Sequence, residues 1–157
     1  TESTVIRDVN LAREVMHRLR DSGVHFSIDD FGTGYSSLAQ LRSLPLHELK
    51  IDKSFVLNIT RSQEDVLIVR STIELAHNMG LKVCAEGVES KAAVELLRSL
   101  DCDIGQGYCI SRPVPAGAFA EWLVRHEQSV VSATQAPVSG EPLSSYCLRT
   151  PDAPAGA

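Results

Sequence analysis

The feature that most constrains this fold is an alternation of short apolar segments with longer amphipathic ones. Strand-like stretches are expected at residues 24–28, 46–51, 81–85 and 103–108. Helix-like stretches, in which apolar residues recur every three or four positions, are expected at residues 3–21, 38–44, 62–79, 90–100 and 115–124. Strands and helices that alternate in this way form a parallel sheet with helices packed against it. The sequence therefore predicts an α/β fold.

Each expected strand ends in polar side chains that a buried sheet would not otherwise carry. These are Asp29, Asp30, Lys50, Asp52, Glu86, Glu89 and Gln106. In parallel α/β folds the carboxyl ends of the strands meet at one rim, where binding and catalysis collect. The spacing thus predicts one polar site, although each residue alone has a plainer explanation as a helix cap, a turn former or a solvated edge residue.

Asp29 and Asp30 are adjacent, and Gly32 and Gly34 follow them. Regular strand geometry would point the two carboxylates to opposite faces, and their like charges repel. Both can face one site only if the strand stops and the chain turns there, which the two glycines would permit. Because a divalent cation would offset the repulsion, the pair is a candidate metal site.

Four motifs, in this order and spacing, extend the argument: DDFGTGYSSL (29–38), LKID (49–52), AEGVE (85–89) and QGY (106–108). Together they resemble the EAL-domain cyclic di-GMP phosphodiesterases over about residues 1–125. The resemblance implies the C-terminal half of a (β/α)8 TIM-type barrel, with about four parallel strands. It also implies hydrolysis of cyclic di-GMP to pGpG in bacterial second-messenger signalling, with Mg²⁺ or Mn²⁺ in a two-ion site.

The resemblance also assigns catalytic roles to motif residues. Asp29 and Asp30 would be metal ligands. Lys50 would position or activate the attacking water, and Glu86 would act as general base or hold a water at the metal. The chemistry is consistent with the motifs, because two ions ~3.5–4 Å apart can clamp the attacking and leaving oxygens of a phosphodiester.

Supporting roles are implied for four further residues. Asp52, Glu89 and Gln106 would shape the metal and substrate site. Glu2 lies in a segment similar to the end of the family's E-x-T-E motif, and it would anchor the loop that begins at Asp29.

Several family elements would lie before the first residue: the E-A-L segment, the metal-binding Asn that follows it, and the first Glu of E-x-T-E. A barrel of this class needs about 250 residues, so we expect a piece of a longer chain. Residues 1–127 are expected to form a partial EAL domain, and residues 128–157, rich in Ser, Ala, Pro, Thr and Gly, a disordered tail. The piece alone is expected to be inactive and to self-associate through exposed barrel edges and an exposed apolar interior.

Three interpretations of function remain open. The first is the C-terminal part of an active phosphodiesterase, which the intact visible half of the site favours. The second is a non-catalytic cyclic di-GMP receptor domain, and the third is a truncated remnant without function. The sequence before residue 1 would discriminate between them, since loss of the E-A-L glutamate or of the Asn would favour the receptor.

Composition excludes some other classes. The formal net charge of −5 provides no basic footprint for nucleic acid, and no apolar run approaches the ~20 residues of a membrane span. None of the four cysteines forms a C-x-x-C pair, so the sequence provides only weak support for a zinc site or a thioredoxin-like motif. Unpaired thiols are typical of a reducing cytosol, and we expect a cytoplasmic protein.

Overall fold

Four parallel strands form one sheet in chain order in the computed structural model, which describes residues 9–34 and 38–134. The strands are β1 (Ser27–Phe31), β2 (Glu48–Ile51), β3 (Lys82–Glu86) and β4 (Ile104–Gln106). The helices are α1 (Val9–Asp21), α2 (Leu38–Ser43), α3 (Lys53–Val56), α4 (Gln63–Asn78), α5 (Lys91–Ser99) and α6 (Ala116–Thr134). The predicted α/β fold with about four parallel strands is confirmed.

One face of the sheet packs against helices and forms the hydrophobic core. Leu49 and Ile51 of β2 and Val83 and Ala85 of β3 point to this face, and each is at most 1% exposed. The residues of α4 that pack there, spaced at three or four positions, are Val66, Val69, Ile73 and Ala76. Because successive strand residues alternate between faces, this core fixes which side chains lie on the opposite face.

The opposite face of the sheet is largely charged. The residues that alternate with the core positions are Glu48 and Lys50 on β2, and Lys82, Cys84 and Glu86 on β3. The expected apolar interior is therefore mostly polar on β2 and β3, where Cys84 is the apolar residue that faces away from the helices. On β4, Ile104 pairs with Cys84 and lies on the same face.

The largest departures from the expectation concern β1, α3 and α6. β1 lies three residues later than predicted, because the backbone of Phe26 accepts from His47 and Glu48 and regular pairing begins only at Ser27. Helix α3 was not predicted. Helix α6 continues to Thr134, past the expected start of the tail at residue 128, since no proline or further glycine interrupts the sequence before Pro137. Residues 135–157 lie outside the described residues.

The helix starts agree with their capping chemistry. Ser62 accepts a hydrogen bond from the backbone N–H of Asp65 at 3.1 Å, and Ser90 accepts one from Ala93 at 3.2 Å. Such caps satisfy backbone donors that the first turn of a helix leaves without a partner. None of the described helices is both long enough and apolar enough to cross a membrane.

We expect Ile73→Ala to lower the free energy of unfolding by about 2–5 kcal/mol, because it removes a fully buried side chain of α4 from the core. Leu67→Ala on the same helix is the matched control, since Leu67 is 62% exposed and its loss should change stability by less than about 0.5 kcal/mol. Urea denaturation followed by circular dichroism measures both. Equal effects of the two substitutions would contradict the assigned core face of α4.

Candidate metal centre

Lys50 connects the two strands that flank β2. Its Nζ donates to Asp29 Oδ1 at 3.0 Å and to Glu86 Oε1, so one ammonium joins β1 to β3. Burial alone would lower the pKa of Lys50, but the hydrogen bonds to Glu86 and Asp29 outweigh it and raise the pKa above its ordinary value. Lys50 is therefore a permanent cation at neutral pH.

A β-bulge brings Asp29 and Asp30 to the same side. Ile28 pairs with Leu49 and Phe31 pairs with Ile51, so β1 uses three steps where β2 uses two. Asp30 absorbs the extra residue with a left-handed φ of 56°. The expectation that the strand must stop between the carboxylates was wrong, because β1 continues through Phe31 and the bulge redirects one side chain instead.

The side chains of Asp29, Asp30 and Glu86 converge on one point. Each offers a carboxylate oxygen, and these oxygens all lie within 4.8 Å of one another. With Lys50 beside them, the formal charge of the group is −3 + 1 = −2, which a divalent cation would neutralise. Carboxylate oxygens are the ligands that Mg²⁺ and Mn²⁺ prefer, so the residues present fit the metal that the sequence led us to expect.

The remaining predicted residues take different positions. Gln106 pairs with Glu86 across β3 and β4, so it lies on the same rim, and its side chain is exposed. Glu89 is also exposed and is not one of the three clustered carboxylates. Asp52 caps α3: its Oδ1 accepts from the N–H of Ser54 at 2.9 Å. Hydrogen bonding with the Ser54 side chain, reinforced by this backbone bond, lowers the pKa of Asp52. Glu2 lies outside the described residues.

Cys84 lies beside this group on β3 but is not suited to be a ligand. It pairs with Lys50 in the sheet and is buried, and burial, reinforced by the charge of Glu48, raises the pKa of its thiol to about 12. A metal ligand would have to be the thiolate, which this environment disfavours. Cys84, Cys102 and Cys109 are all free thiols.

Helix α3 is a site element that the sequence pattern did not reveal. Two signals were available: the run Asp52-Lys53-Ser54, in which an Asp precedes a short helix, and the apolar pair Phe55 and Val56 after it. Both signals are too short to show the three- to four-residue spacing of apolar side chains that identifies a helix.

Comparison with known proteins gives a consistent family. The EAL domain family model matches residues 1–113. The cyclic di-GMP phosphodiesterase NbdA of Pseudomonas aeruginosa is 47% identical over 123 residues, which are 78% of this chain and 16% of NbdA.

Solved structures of related proteins are also similar to this chain. The PaMucR phosphodiesterase in its c-di-GMP complex superposes with a TM-score of 0.70 and 43% identity, covering 75% of this chain and 48% of that one. A manganese and cyclic di-GMP complex of Klebsiella pneumoniae BlrP1 has a TM-score of 0.65 and 36% identity, covering 71% and 29% of the two chains. The chain therefore spans less than a fifth of NbdA and about half of the solved MucR chain.

We expect Asp30→Asn to weaken Mn²⁺ binding by at least tenfold, because it removes one of three converging carboxylates while keeping a side chain that tolerates left-handed backbone. Asp101→Asn is the matched control: Asp101 also has a positive φ, 62°, and is exposed outside the cluster. Titration of Mn²⁺ followed by electron paramagnetic resonance measures both. Loss of affinity in both variants alike would show that the cluster is not the binding site.

Proposed function

This chain belongs to the EAL domain family, and we propose that it supplies the C-terminal part of a metal-dependent phosphodiesterase that hydrolyses cyclic di-GMP to pGpG. The observation that carries the proposal is the group of Asp29, Asp30 and Glu86 around the Lys50 ammonium. The names of NbdA and of the MucR complex support the substrate.

We infer that the metal is Mg²⁺ or Mn²⁺, held by Asp29 and Asp30 with Glu86 beside them. When bound, divalent ions stabilise charge on the phosphoryl oxygens and favour ionisation of the attacking water. The manganese in the BlrP1 complex supports this choice of metal by similarity to a related protein. The oxygen-only donor set accepts either ion.

Three side chains of the protein have separate roles in the proposed hydrolysis. Lys50 stays protonated, so it cannot take a proton from water; it instead contributes positive charge beside the phosphate. Glu86 is the better candidate for the general base, because a carboxylate can accept a proton and this one lies on the rim with 17% of its side chain exposed. Gln106, on the neighbouring strand, lies where it can contact the substrate.

We expect a chimera to show the activity. In it, this chain replaces the corresponding segment of the MucR phosphodiesterase, which provides the rest of a domain to which this chain is 43% identical. The chimera should hydrolyse cyclic di-GMP to pGpG with Mg²⁺ or Mn²⁺, and EDTA should abolish the reaction. The 157-residue chain alone should show little or no turnover.

Two variants of the chimera make the assignment specific. Glu86→Gln should lower kcat by at least ~10²-fold, because it removes the proposed base. Glu74→Gln, an exposed change on α4, should leave kcat unchanged. Chromatographic measurement of pGpG formation checks both. A folded chimera that binds cyclic di-GMP but never hydrolyses it would favour a receptor over an enzyme.

We also propose that the isolated chain self-associates. In the described sheet, β1 and β4 each have a neighbouring strand on one side only. Exposed apolar residues lie on the helices at both ends: Leu11, Val15 and Leu19 on α1, and Phe119, Leu123 and Val124 on α6. Open edges and apolar surface of this kind favour pairing with another copy.

We expect light scattering to report a mass above that of the monomer, and Val15→Glu to lower that mass by placing a charge within the apolar stripe of α1. Arg13→Glu, on an already charged exposed position of the same helix, serves as control. A monodisperse, compact monomer of the parent chain would contradict the proposal.

A further inference from the structure

Helix α3 touches the two loops that directly follow the strands carrying the clustered carboxylates. On one side, the Phe55 ring lies against Gly32, two residues after Asp30: a Cβ added to Gly32 would be 2.9 Å from Phe55 Cε2. On the other side, Lys53 lies against Gly87, directly after Glu86: a Cβ added there would be 2.6 Å from Lys53 Cβ.

Both contacts are made at glycines with a positive φ, a backbone conformation that few other residues adopt. Gly32 has a φ of 100° and Gly87 a φ of 71°, so neither position accepts a side chain without strain. The backbones of the two loops therefore approach α3 as closely as van der Waals contact allows. Because α3 contacts both loops, it limits how closely the two loops can approach each other.

Helix α3 is itself held from two directions. Asp52 caps its first turn through the N–H of Ser54, while Val56 at its end and Ile59 just after it, each 1% exposed, are buried in the core. Lys50 lies just before it on β2. Strand β2, which carries Lys50, is thus followed directly by α3, which lies between the two loops.

Two opposed effects then set the width of the cluster. The ion pairs of Lys50 draw Asp29 and Glu86 together, whereas contact of Gly32 and Gly87 with α3 limits how closely the loops approach. We propose that α3 is a spacer, with Asp52, Lys53 and Phe55 as positioning residues, that fixes the distance between the Asp30 and Glu86 carboxylates for metal binding. This inference rests on the proposed metal-dependent function and adds a determinant of its geometry.

The relative affinity of the site for Mg²⁺ and Ca²⁺ distinguishes a spacer from a purely structural role of α3. Mg²⁺ requires near-ideal octahedral geometry with short bonds, whereas Ca²⁺ accepts longer bonds and irregular geometry. A change in the spacing of the carboxylates should therefore weaken Mg²⁺ binding more than Ca²⁺ binding. A general loss of folded protein would reduce both in proportion.

Gly87→Ala is the direct test, because the added methyl group must displace the β3 loop from Lys53. We expect Mg²⁺ affinity of the 157-residue chain, measured by competition with Mn²⁺ in electron paramagnetic resonance, to fall about tenfold and Ca²⁺ affinity to fall less. Gly80→Ala is the matched control: its φ of 74° imposes the same backbone strain, but no atom lies within 4 Å of the added Cβ. It should leave both affinities unchanged.

Asp52 provides a second test if Gly87→Ala fails to fold. Asp52→Ala removes the cap of α3 and should weaken Mg²⁺ binding, whereas Asp52→Asn keeps a capping side chain and should restore most of the affinity. Equal loss in both Asp52 variants would instead mean that the charge of Asp52 acts on the metal directly, and would overturn the spacer.

Failure of the two proposals can be told apart. If the parent chain binds Mn²⁺ and Asp30→Asn weakens it, while Gly87→Ala and Asp52→Ala bind Mg²⁺ as the parent does, the spacer is overturned and the metal site stands. If Mn²⁺ binding is absent from the parent, or unaffected by Asp30→Asn, the metal site fails and the spacer with it.

Discussion

The ion pairs of Lys50 are the interaction on which the candidate site depends. Asp29, Asp30 and Glu86 bring three like charges within 4.8 Å, and such a group would push its loops apart in the absence of a cation. The ammonium offsets part of that charge from the middle strand, at 3.0 Å from Asp29 and in contact with Glu86. Because its hydrogen bonds to Glu86 and Asp29 raise its pKa, Lys50 keeps this role at neutral pH.

The hydrophobic core makes this arrangement possible. Leu49 and Ile51 are buried on the helix-covered face, so the residue between them, Lys50, must point to the other face. Val83 and Ala85 fix β3 in the same way and direct Glu86 to the same side as Lys50. The alternation of apolar residues in β2 and β3 therefore directs Lys50 and Glu86 to the same, open face of the sheet.

Features that depend on local pattern could be predicted from the sequence. Alternating segments predicted four parallel strands, and polar residues at strand ends predicted a common rim. The bulge at Asp30 could not be predicted, because a one-residue shift exists only relative to the pairing partner β2. Nor could α3, since four residues are too few to show a helical period. The fading hydrophobic periodicity predicted too early an end for α6, because a helix can continue without such periodicity where no residue breaks it.

The backbone at position 30 explains why the motif has an Asp there rather than another acid or a neutral residue. A φ of 56° is the left-handed region, which glycine, Asn and Asp adopt far more readily than other residues. Glu would supply the charge at a higher conformational cost, and Gly or Asn would supply the conformation without the charge. Asp30 is the residue that satisfies both requirements. The bulge thus allows the adjacent carboxylates of Asp29 and Asp30 to lie on the same side of the strand, within 4.8 Å of each other and of Glu86.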